Sequence, residues 1–359
     1  MQLVAMGAQD VYLTGNPQIT FFKVVYRRHT NFSKECIEQT FNGSLSSGAG
    51  TLNCTLSRNG DLVQEIYLTG LISNLAKGED ATNVIKSVEV EIGGQKIDKH
   101  YSQWLDIYNE LFETDSSHSR RLLMSGEKAY IPLRFWFNRN PGLALPLIAL
   151  QYHEVKINVE CQAIPKAGIA AASNAELSTP KLLVNYLYLD TDERRRFAQV
   201  SHEYLIEQVQ HTGVENKAKM TMNFNHPVKA LFWTSTAEPA GNAKLQLNGH
   251  DRFSEQAHDY FHLVQPYECG LGHGTTLKTD DRTWAPTAVA IATGNVSMYS
   301  FCLKPAEHQP SGTCNFSRID NAVLNLGTGN YTNNGVYLFA MNYNVLRIMS
   351  GMGGLAYSN

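Results

Sequence analysis

The sequence predicts an all-β protein made of two consecutive eight-stranded antiparallel jelly rolls, with short helices in the loops. Three observations support this prediction: short segments alternate apolar and polar residues, the composition favours strands and turns, and the two halves of the chain carry a similar pattern. Alternation with a period of two is typical of half-buried strands, whereas a helix buries every third or fourth residue.

The alternation is clearest at residues 155–161, where Val, Ile, Val and Cys alternate with Lys, Asn and Glu. Shorter runs of the same kind occur at residues 88–92, 220–224 and 244–247, and each is closed by Gly, Asn or Pro. The 17 Tyr and 15 Phe suit the pleated surface of a sheet, and the 27 Gly suit tight turns and bulges. Antiparallel strands should therefore dominate the fold.

The two halves of the chain resemble each other. Residues 90–97 and 245–253 both show the pattern of a strand, a Gly-containing turn and a strand, and a turn at Pro141 or Pro310 follows in each half. Similar spacings indicate a duplicated β-domain. A chain of 359 residues also exceeds what one core usually supports, so two domains are expected. Each domain has the length for a jelly roll, which buries its two sheets face to face.

Two segments interrupt the strand pattern. In residues 98–112, apolar side chains recur at helical spacing from Tyr101 to Phe112, which predicts a short amphipathic helix lying on a sheet. Residues 191–199 are charged and separate two strand-like runs. We interpret this segment as the linker between the two domains.

Composition limits the functional classes. With 43% hydrophobic and 18% charged residues the chain should fold, and with a net charge of −3 and scattered Lys and Arg we expect no direct specific binding to nucleic acid. The N terminus lacks the features of a signal peptide, and the longest apolar run is far shorter than the roughly 20 residues of a membrane span. Six cysteines without a Cys-x-x-Cys pair indicate reduced thiols.

A metal site is the first chemical candidate. His258 and His262 are four residues apart, and Cys269 and His273 follow downstream. The sequence lacks the Glu of a His-Glu-x-x-His motif, and the downstream Cys and His lie in a loop-like stretch. The favoured interpretation is polar histidines in a loop or at a rim, and no metal or cofactor is predicted.

Carboxylates and glycines give two further candidates. The acidic residues at 190–193 would suit the carboxylate pair of a glycosidase, but consecutive side chains point in different directions and residues 194–196 are arginines. A solvated linker with local ion pairs is favoured. The Gly-rich residues 350–354 lack the Gly-Lys-Ser/Thr of a phosphate-binding loop, and a closing turn or bulge after the strand at 345–349 is favoured. No catalytic residue is predicted, and the chain is not expected to be an enzyme.

Glycosylation is a third candidate. Asn-x-Ser/Thr motifs occur at Asn31, Asn42, Asn53, Asn295, Asn315 and Asn330. Such a motif has an effect only in the secretory pathway, so these are weak indicators, and Asn330 is retained as the candidate. Residues 309–320 predict a turn and then a strand at 313–319, in which Cys314 is a packed thiol and Asn315 is not glycosylated.

Longer strings carry a specific resemblance. They include GAQDVYLTGNPQITFFK at residues 7–23 and QPSGTCNFSRIDNA at residues 309–322. Further strings occupy residues 26–28, 91–101, 141–156, 224–227 and 342–357. All of them resemble the major capsid proteins of nucleocytoplasmic large DNA viruses, and are most similar to the chlorella-virus and phycodnavirus type. The strings run in the same order from residue 7 to the C terminus, so the resemblance covers nearly the whole chain.

The resemblance implies two consecutive jelly rolls in each subunit and a homotrimer whose six barrels form a pseudo-hexagonal capsomer. Capsomers of this family tile an icosahedral shell over an internal lipid membrane. On this basis we expect an N-terminal arm at residues 1–20, a first jelly roll at 21–190, a linker at 191–202 and a second jelly roll at 203–359.

The resemblance also implies partners and a location. The partners would be neighbouring capsomers, minor capsid and penton proteins, and inner virion membrane proteins; the location would be the virion capsid, assembled in the host cytoplasm. The arm would run along the base of the capsomer, where its contacts with neighbouring subunits would be made by Asp10, Tyr12, Leu13 and Asn16. Two segments of the second jelly roll, at 235–243 and 324–337, are short in this chain, so large outer surface loops are not expected.

One alternative is a β-sandwich carbohydrate-binding protein. Such a protein should expose aromatic side chains on a concave loop cluster. Trp104, Trp136, Trp233 and Trp284 instead lie mostly within strand-like or helix-like runs, which favours positions in the core.

Overall fold

A computed structural model describes residues 7–45, 49–73, 81–113, 123, 128–162, 176–177, 179–215, 217–235, 242–272, 296–327 and 335–357. Within these ranges the chain forms 20 strands and four α-helices. None of these helices combines the length and the apolar character that a membrane span requires.

The first half of the chain contains ten strands and two helices. The helices are α1 (Ala8–Thr14) and α2 (Ser102–Leu111). The strands are β1 (Phe32–Thr40), β2 (Gly50–Thr55), β3 (Leu62–Ser73), β4 (Ile85–Ile92), β5 (Gln95–Tyr101), β6 (Lys128–Pro132), β7 (Leu145–Pro146), β8 (Val155–Cys161), β9 (Glu176–Leu177) and β10 (Lys181–Leu189).

The second half follows helix α3 (Thr191–Gln199) and contains ten strands and one further α-helix, α4 (Gln265–Glu268), which continues a π-helical turn at Tyr260–Val264. The strands are β11 (His202–Glu215), β12 (Lys219–Met222), β13 (Pro227–Ser235), β14 (Ala243–Leu247), β15 (His250–Asp251), β16 (Val296–Ser300), β17 (Cys314–Asn315), β18 (Ala322–Leu326), β19 (Val336–Met349) and β20 (Met352–Leu355).

The two halves have the same sheet topology. In the first half the sheets have the strand orders β1-β10-β3-β6 and β2-β8-β4-β5, and in the second half β11-β19-β13-β16 and β12-β18-β14-β15. When the eight main strands of each half are numbered along the chain, the two sheets of either half have the strand orders 1-8-3-6 and 2-7-4-5. Every pairing is antiparallel, and β7, β9, β17 and β20 are short additions. The prediction of two eight-stranded jelly rolls is confirmed.

The predicted alternation sets the burial of the strands. Along β8 every apolar residue from Val155 to Cys161 is buried and the polar residues between them are half-buried, and β14 shows the same pattern. Successive side chains of a strand point to opposite faces, so one face of each sheet enters the core. Sandwiching two such sheets encloses one apolar core in each half.

The two jelly rolls share core residues. Ile206, Leu346 and Ile348 come from the second half but belong to the core cluster of the first. In the other direction, Trp104 of α2 packs against Phe232 and against other apolar side chains on the second half's larger sheet. The two rolls are therefore packed against each other, with α2 between them.

The helix predicted at residues 98–112 is shorter than expected. It begins at Ser102, and Asp98 to Tyr101 instead complete β5, where they pair with β4. The ladder of backbone hydrogen bonds in the hairpin outweighs the helical spacing of the side chains. Within the helix, Trp104 and Leu111 are buried, so the predicted apolar face is present.

Three hairpins close with two-residue turns in the left-handed region. The turns are Gly93-Gly94, Asn248-Gly249 and Ser350-Gly351, with φ between 52° and 83° at all six residues. This is the type I′ geometry, which matches the twist of antiparallel strands. The first two turns join equivalent strands of the two rolls, as their repeated sequence pattern predicted. The third confirms the closing turn predicted after the strand at 345–349, and the residues after Gly351 form β20.

The segment predicted as a linker at 191–199 forms the helix α3, which lies between β10 and β11. One local prediction needs correction. The strand predicted at 313–319 is only the two residues of β17, and a 3₁₀ helix at Phe316–Arg318 follows it. The Asn315 side chain accepts a 3.0 Å hydrogen bond from the Ser317 amide, and this cap favours the helical turn over a longer strand. Phe316 is buried and Cys314 is half-buried, as packed side chains.

Candidate functional site

The N-terminal segment, residues 7–31, is exposed at every position. It supplies nine of the 21 exposed large apolar side chains in the described part of the chain. These nine are Val11, Tyr12, Leu13, Ile19, Phe21, Phe22, Val24, Val25 and Tyr26. Exposed apolar side chains this numerous within one segment make it a candidate interaction surface.

Local hydrogen bonds give the start of this segment its shape. The Asp10 carboxylate accepts a 3.0 Å hydrogen bond from the Gly7 amide and so caps α1. Tyr12 and Leu13 lie on α1 with 88% and 79% of their surface exposed, and Asn16 follows the helix with a φ of 52°. The four residues predicted to make subunit contacts are thus close in sequence and exposed to solvent.

The N-terminal segment joins the fold at one end of the sheets. β1 begins at Phe32, which pairs with Leu189 at the end of β10. Helix α3 then leads to β11, where His202 pairs with Ile348 near the end of β19. We call this end of the molecule the base. It brings together the root of the N-terminal segment, α3 and the hairpin between β19 and β20.

A groove of about 490 Å³ opens at the base. Its lining includes Tyr152 from the turn before β8, Val200 from the end of α3, and Met349 from the end of β19. These three side chains are exposed, and so is Met352 on the neighbouring strand β20. The base therefore carries a second group of apolar side chains beside the root of the N-terminal segment.

Buried charges join the two rolls. Arg139 lies in a loop of the first roll, and its Nη1 pairs with Oε2 of Glu207 on β11. Oε1 of Glu207 accepts a 2.6 Å hydrogen bond from Nζ of Lys229 on β13. Lys229 also donates to the carbonyl of Glu307 at 3.0 Å and lies 4.9 Å from the ring centre of Tyr343. Burial lowers the pKa of Lys229, and the Glu207 carboxylate opposes that shift.

Hydrogen bonds to backbone amides reinforce the junction. Oδ1 of Asp98 on β5 accepts a 3.0 Å hydrogen bond from the backbone amide of Val209 on β11. Nδ1 of His153 accepts from the amide of Gly353 at 3.1 Å, and the Gln95 side chain accepts from the amide of Leu355 at 3.2 Å. These bonds attach the C-terminal hairpin to the first roll. The two rolls are therefore held in one fixed relation.

The histidine candidate has a structural role. The rings of His258 and His262 stack with centroids 5.5 Å apart. Nδ1 of His262 lies 2.9 Å from the carbonyl of Val296, and Nδ1 of His258 lies 3.1 Å from Oγ of Ser297, so the pair fastens the π-helical turn to β16. Among the described residues, no three His, Cys, Asp or Glu side chains are arranged to hold a metal ion. His273 lies outside the described residues.

The carboxylates at 190–193 serve the helix they begin. Asp190 is the N-cap of α3 and accepts a 2.8 Å hydrogen bond from the Thr191 amide. Asp192 and Glu193 occupy the first turn, where negative charge is favourable, and Arg194 pairs with Asp61 at 3.1 Å. Asp190 therefore caps the helix, Asp192 and Glu193 interact favourably with the helix dipole, and Arg194 forms an ion pair.

Tryptophan side chains were predicted in the core, and the cysteines were predicted to be reduced. Trp104, Trp136 and Trp233 are buried, whereas Trp284 lies outside the described residues. All six cysteines are unpaired, and burial raises the pKa of Cys54 and of Cys161 to about 11. The glycosylation candidates Asn295 and Asn330 also lie outside the described residues.

Sequence reasoning missed the buried charge cluster. Lys229 interrupts an apolar run in β13, and a lone lysine at such a position is a signal that could have been used. Its partners Glu207 and Arg139 are far away in sequence, so only the fold reveals the cluster.

Family models match both halves of the chain. A model described as "Major capsid protein N-terminus" matches residues 20–190, and one described as "Large eukaryotic DNA virus major capsid protein" matches residues 193–238 and 282–354. Together these two models span most of the chain.

Individual proteins give the same result. The chain is 56% identical to the major capsid protein of Pyramimonas orientalis virus and 41% identical to that of Paramecium bursaria Chlorella virus 1, with 100% of this chain and 99% of each relative covered. The second alignment spans 450 positions against 359 residues here, so that relative carries insertions. Among solved structures, a quasi-atomic model of the PBCV-1 capsid has a TM-score of 0.77 at 36% identity, covering 95% of this chain and 100% of that one. The Faustovirus major capsid protein, 11% identical with a TM-score of 0.67, shares the fold.

Proposed function

Because the chain belongs to the family of large eukaryotic DNA virus major capsid proteins, we propose that it is a capsid subunit that forms a homotrimer, a pseudo-hexagonal capsomer of an icosahedral shell. The observation that supports this role most strongly is the repeated sheet topology in one fixed subunit. Two equivalent rolls in each of three copies give six similar barrels around a threefold axis. A cyclic trimer of this kind closes on itself and can tile a surface with sixfold contacts.

The buried charge cluster suits this role. A pseudo-hexagon requires a constant angle between the two rolls of a subunit, because an error there would be repeated at every lattice contact. Arg139, Glu207 and Lys229 connect the rolls by directional bonds, in addition to the shared apolar core. Polar groups of this kind can specify one arrangement among several that bury similar apolar area.

The domain organisation is part of the proposal. Residues 1–20 form the arm, 21–190 the first roll, 191–202 the linker and 203–359 the second roll. The described exposed segment continues past residue 20 to the start of β1 at Phe32, so the surface available for contacts is longer than the arm alone. Tyr12 and Leu13 are the exposed apolar residues in the arm best placed for contacts, beside Asp10 and Asn16.

The partners and the location follow from the same role. We place the protein in the virion capsid, with assembly in the host cytoplasm. Its partners would be two further copies in the trimer, neighbouring capsomers, minor capsid and penton proteins, and membrane proteins of the inner virion. Many modest contacts of these kinds add up to a stable lattice by multivalency. The role is structural, with no catalytic step.

The carbohydrate-binding alternative lacks support. Three of the four tryptophans of this chain are buried among other apolar side chains, and the relatives named above are capsid proteins.

Mass photometry of the purified protein at micromolar concentration tests the trimer. The expected particle has three times the 40.0 kDa mass of the chain. A strictly monomeric species would contradict the proposed function.

A further inference from the structure

We propose that Cys269 and Cys302 form a reversible disulfide, which fastens the α4 turn to the segment after β16 when the protein meets an oxidising environment. The bond concerns the folded subunit, whereas its use rests on the capsid role proposed above, because a shell assembled in a reducing cytoplasm later leaves it. The inference starts from two thiols that converge on one serine hydroxyl in the second roll.

Cys302 is held against Ser300 at the end of β16. Its backbone amide donates a 3.2 Å hydrogen bond to Oγ of Ser300, and its Sγ lies 3.5 Å from the same oxygen. The Ser300 hydroxyl in turn donates to the carbonyl of Cys302 at 2.7 Å. The Cys302 side chain is only 8% exposed, so these contacts fix a buried thiol beside a hydroxyl.

Cys269 approaches the same hydroxyl from α4. The Gln265 side chain accepts a 3.2 Å hydrogen bond from the Ser300 amide, which places the first turn of α4 at the end of β16. Cys269 follows Gln265 by four residues and its amide donates to the Gln265 carbonyl, so the two side chains lie on one face of the helix. The Cys269 thiol makes a hydrogen bond with the Ser300 hydroxyl. One oxygen therefore contacts both thiols.

Packing brings the same two elements together. Cys269 packs against the core cluster that contains Met298 of β16. Met298 and Ser300 are two residues apart in this strand, so their side chains point to the same face. One turn earlier, Nδ1 of His262 lies 2.9 Å from the carbonyl of Val296. The approach of Cys269 to this face of β16 thus rests on several contacts.

The difference in exposure assigns roles to the two thiols. Cys269 is half-buried and can meet a small oxidant, whereas Cys302 is buried. The Cys269 thiolate attacks a low-molecular-weight disulfide such as oxidised glutathione, which displaces one glutathione thiolate and leaves a mixed disulfide. The Cys302 thiolate then attacks the Cys269 sulfur and displaces the second glutathione. Two protein thiols lose two protons and two electrons, and the oxidant is reduced to two thiols.

Local charges set the order of these steps. Burial raises the pKa of Cys269, and the hydrogen bond with the Ser300 hydroxyl opposes that shift. The buried ammonium of Lys229 interacts electrostatically with Cys302, and a nearby positive charge stabilises a thiolate. We therefore expect slow attack by Cys269 and rapid closure by Cys302, without accumulation of the mixed disulfide.

The bond would stabilise the second roll. It closes a loop of roughly 30 residues, which restricts the unfolded chain more than the folded one. The oxidised protein should therefore have a Tm several degrees above that of the reduced protein.

Oxidation of the full-length protein with oxidised glutathione tests the pair. The background variant is Cys36→Ser, since Cys36 is an exposed thiol. Remaining thiols are alkylated in denaturant and tryptic peptides are mapped by mass spectrometry; Lys278 and Arg282 place the two cysteines in separate peptides. Cys302→Ser removes one partner. The matched control is Cys314→Ser, which removes another thiol whose pKa is raised by burial in the same roll.

The expected result is a linked pair of peptides containing Cys269 and Cys302, with the rise in Tm, both reversed by dithiothreitol. Cys314→Ser should keep both effects, and Cys302→Ser should lose both. The peptide map of the background variant does not depend on either substitution.

Alkylation of Cys269 and Cys302 after oxidation, or a link from either of them to Cys314, would overturn the inference. If mass photometry shows a trimer in that case, the proposed function remains intact. A strictly monomeric protein that carries the Cys269–Cys302 bond would support the disulfide and contradict the proposed function.

Discussion

Nζ of Lys229 donates a 2.6 Å hydrogen bond to Oε1 of Glu207, and the two side chains are 0% and 6% exposed. Glu207 also pairs with Arg139, so one carboxylate faces two cations at the junction of the rolls. Taking charges out of water costs free energy, which this geometry recovers only while all three groups are present. Removing any one of the three groups should therefore destabilise the junction of the rolls.

Glu207→Gln should lower the free energy of unfolding by about 3–5 kcal/mol, because it leaves the buried Lys229 and the half-buried Arg139 without their carboxylate. Urea denaturation at fixed protein concentration measures the change. The matched control is Glu203→Gln, four residues earlier on β11, where an exposed carboxylate pairs with Arg347 and about 0–1 kcal/mol is expected. Equal losses for the two variants would contradict a special role for the cluster.

Two adjacent glycines give a sharp comparison. Both Gly93 and Gly94 have positive φ, so replacing either with Ala costs roughly 1–2 kcal/mol in backbone strain. A Cβ at Gly93 would lie 2.3 Å from Nδ1 of His153, whereas one at Gly94 has no heavy atom within 4 Å.

Gly93→Ala must therefore also displace His153, which accepts the hydrogen bond from Gly353 of the C-terminal hairpin. We expect it to lose about 1–3 kcal/mol more than Gly94→Ala in thermal or urea unfolding. Similar stabilities for the two variants would show that His153 does not anchor that hairpin.

Stability should fall on mild acidification, in part through His211. Burial lowers the pKa of this histidine below its usual 6.5, and the Leu338 carbonyl, which accepts from Nδ1 at 3.0 Å, opposes the shift. Below about pH 6.5 the unfolded chain binds a proton that the native state resists, so stability is present above that pH and is lost as the pH falls towards the native pKa.

His211→Phe keeps the stacking on Phe339, which has a centroid distance of 4.5 Å, and removes the titration. Its unfolding free energy should change less than that of the unmodified protein between about pH 7.5 and about pH 5.5. His250→Phe, at an exposed position, is the control and should keep the original slope. His308 also has a pKa lowered by burial, so part of the slope should persist in every variant.

The N-cap of α3 can be tested at Asp190. Asp190→Ala removes the acceptor for the Thr191 amide and should cost about 0.5–2 kcal/mol, with local fraying of α3 visible by hydrogen exchange. Asp192→Ala, which removes a charge from the same turn without removing the cap, should cost only a few tenths of a kcal/mol. The reverse order would show that charge rather than capping sets the start of the helix.

The fold was predictable where its determinants are local. Alternation identified β8, and Gly-containing turns identified the hairpins at Gly93 and Asn248, because side-chain period and turn conformation depend on neighbouring residues. The start of α2 was misplaced because residues 98–101 satisfy both patterns, and pairing with β4 decided between them.

The candidate site was less predictable. The Lys229–Glu207 pair joins β11 and β13, which folding places on either side of β19, so no local pattern contains it. The groove likewise combines the turn at Tyr152 with the C-terminal hairpin, about 200 residues later. The exposure of residues 21–26 was not foreseen either, since apolar residues in a sequence normally indicate a core.

Electron microscopy of the purified oligomer tests the capsomer most directly. Class averages viewed down the threefold axis should show a pseudo-hexagonal outline with six similar densities, two from each of three subunits. Isolated two-lobed particles, or rings with another symmetry, would contradict the assignment of this chain as the subunit of a trimeric capsomer.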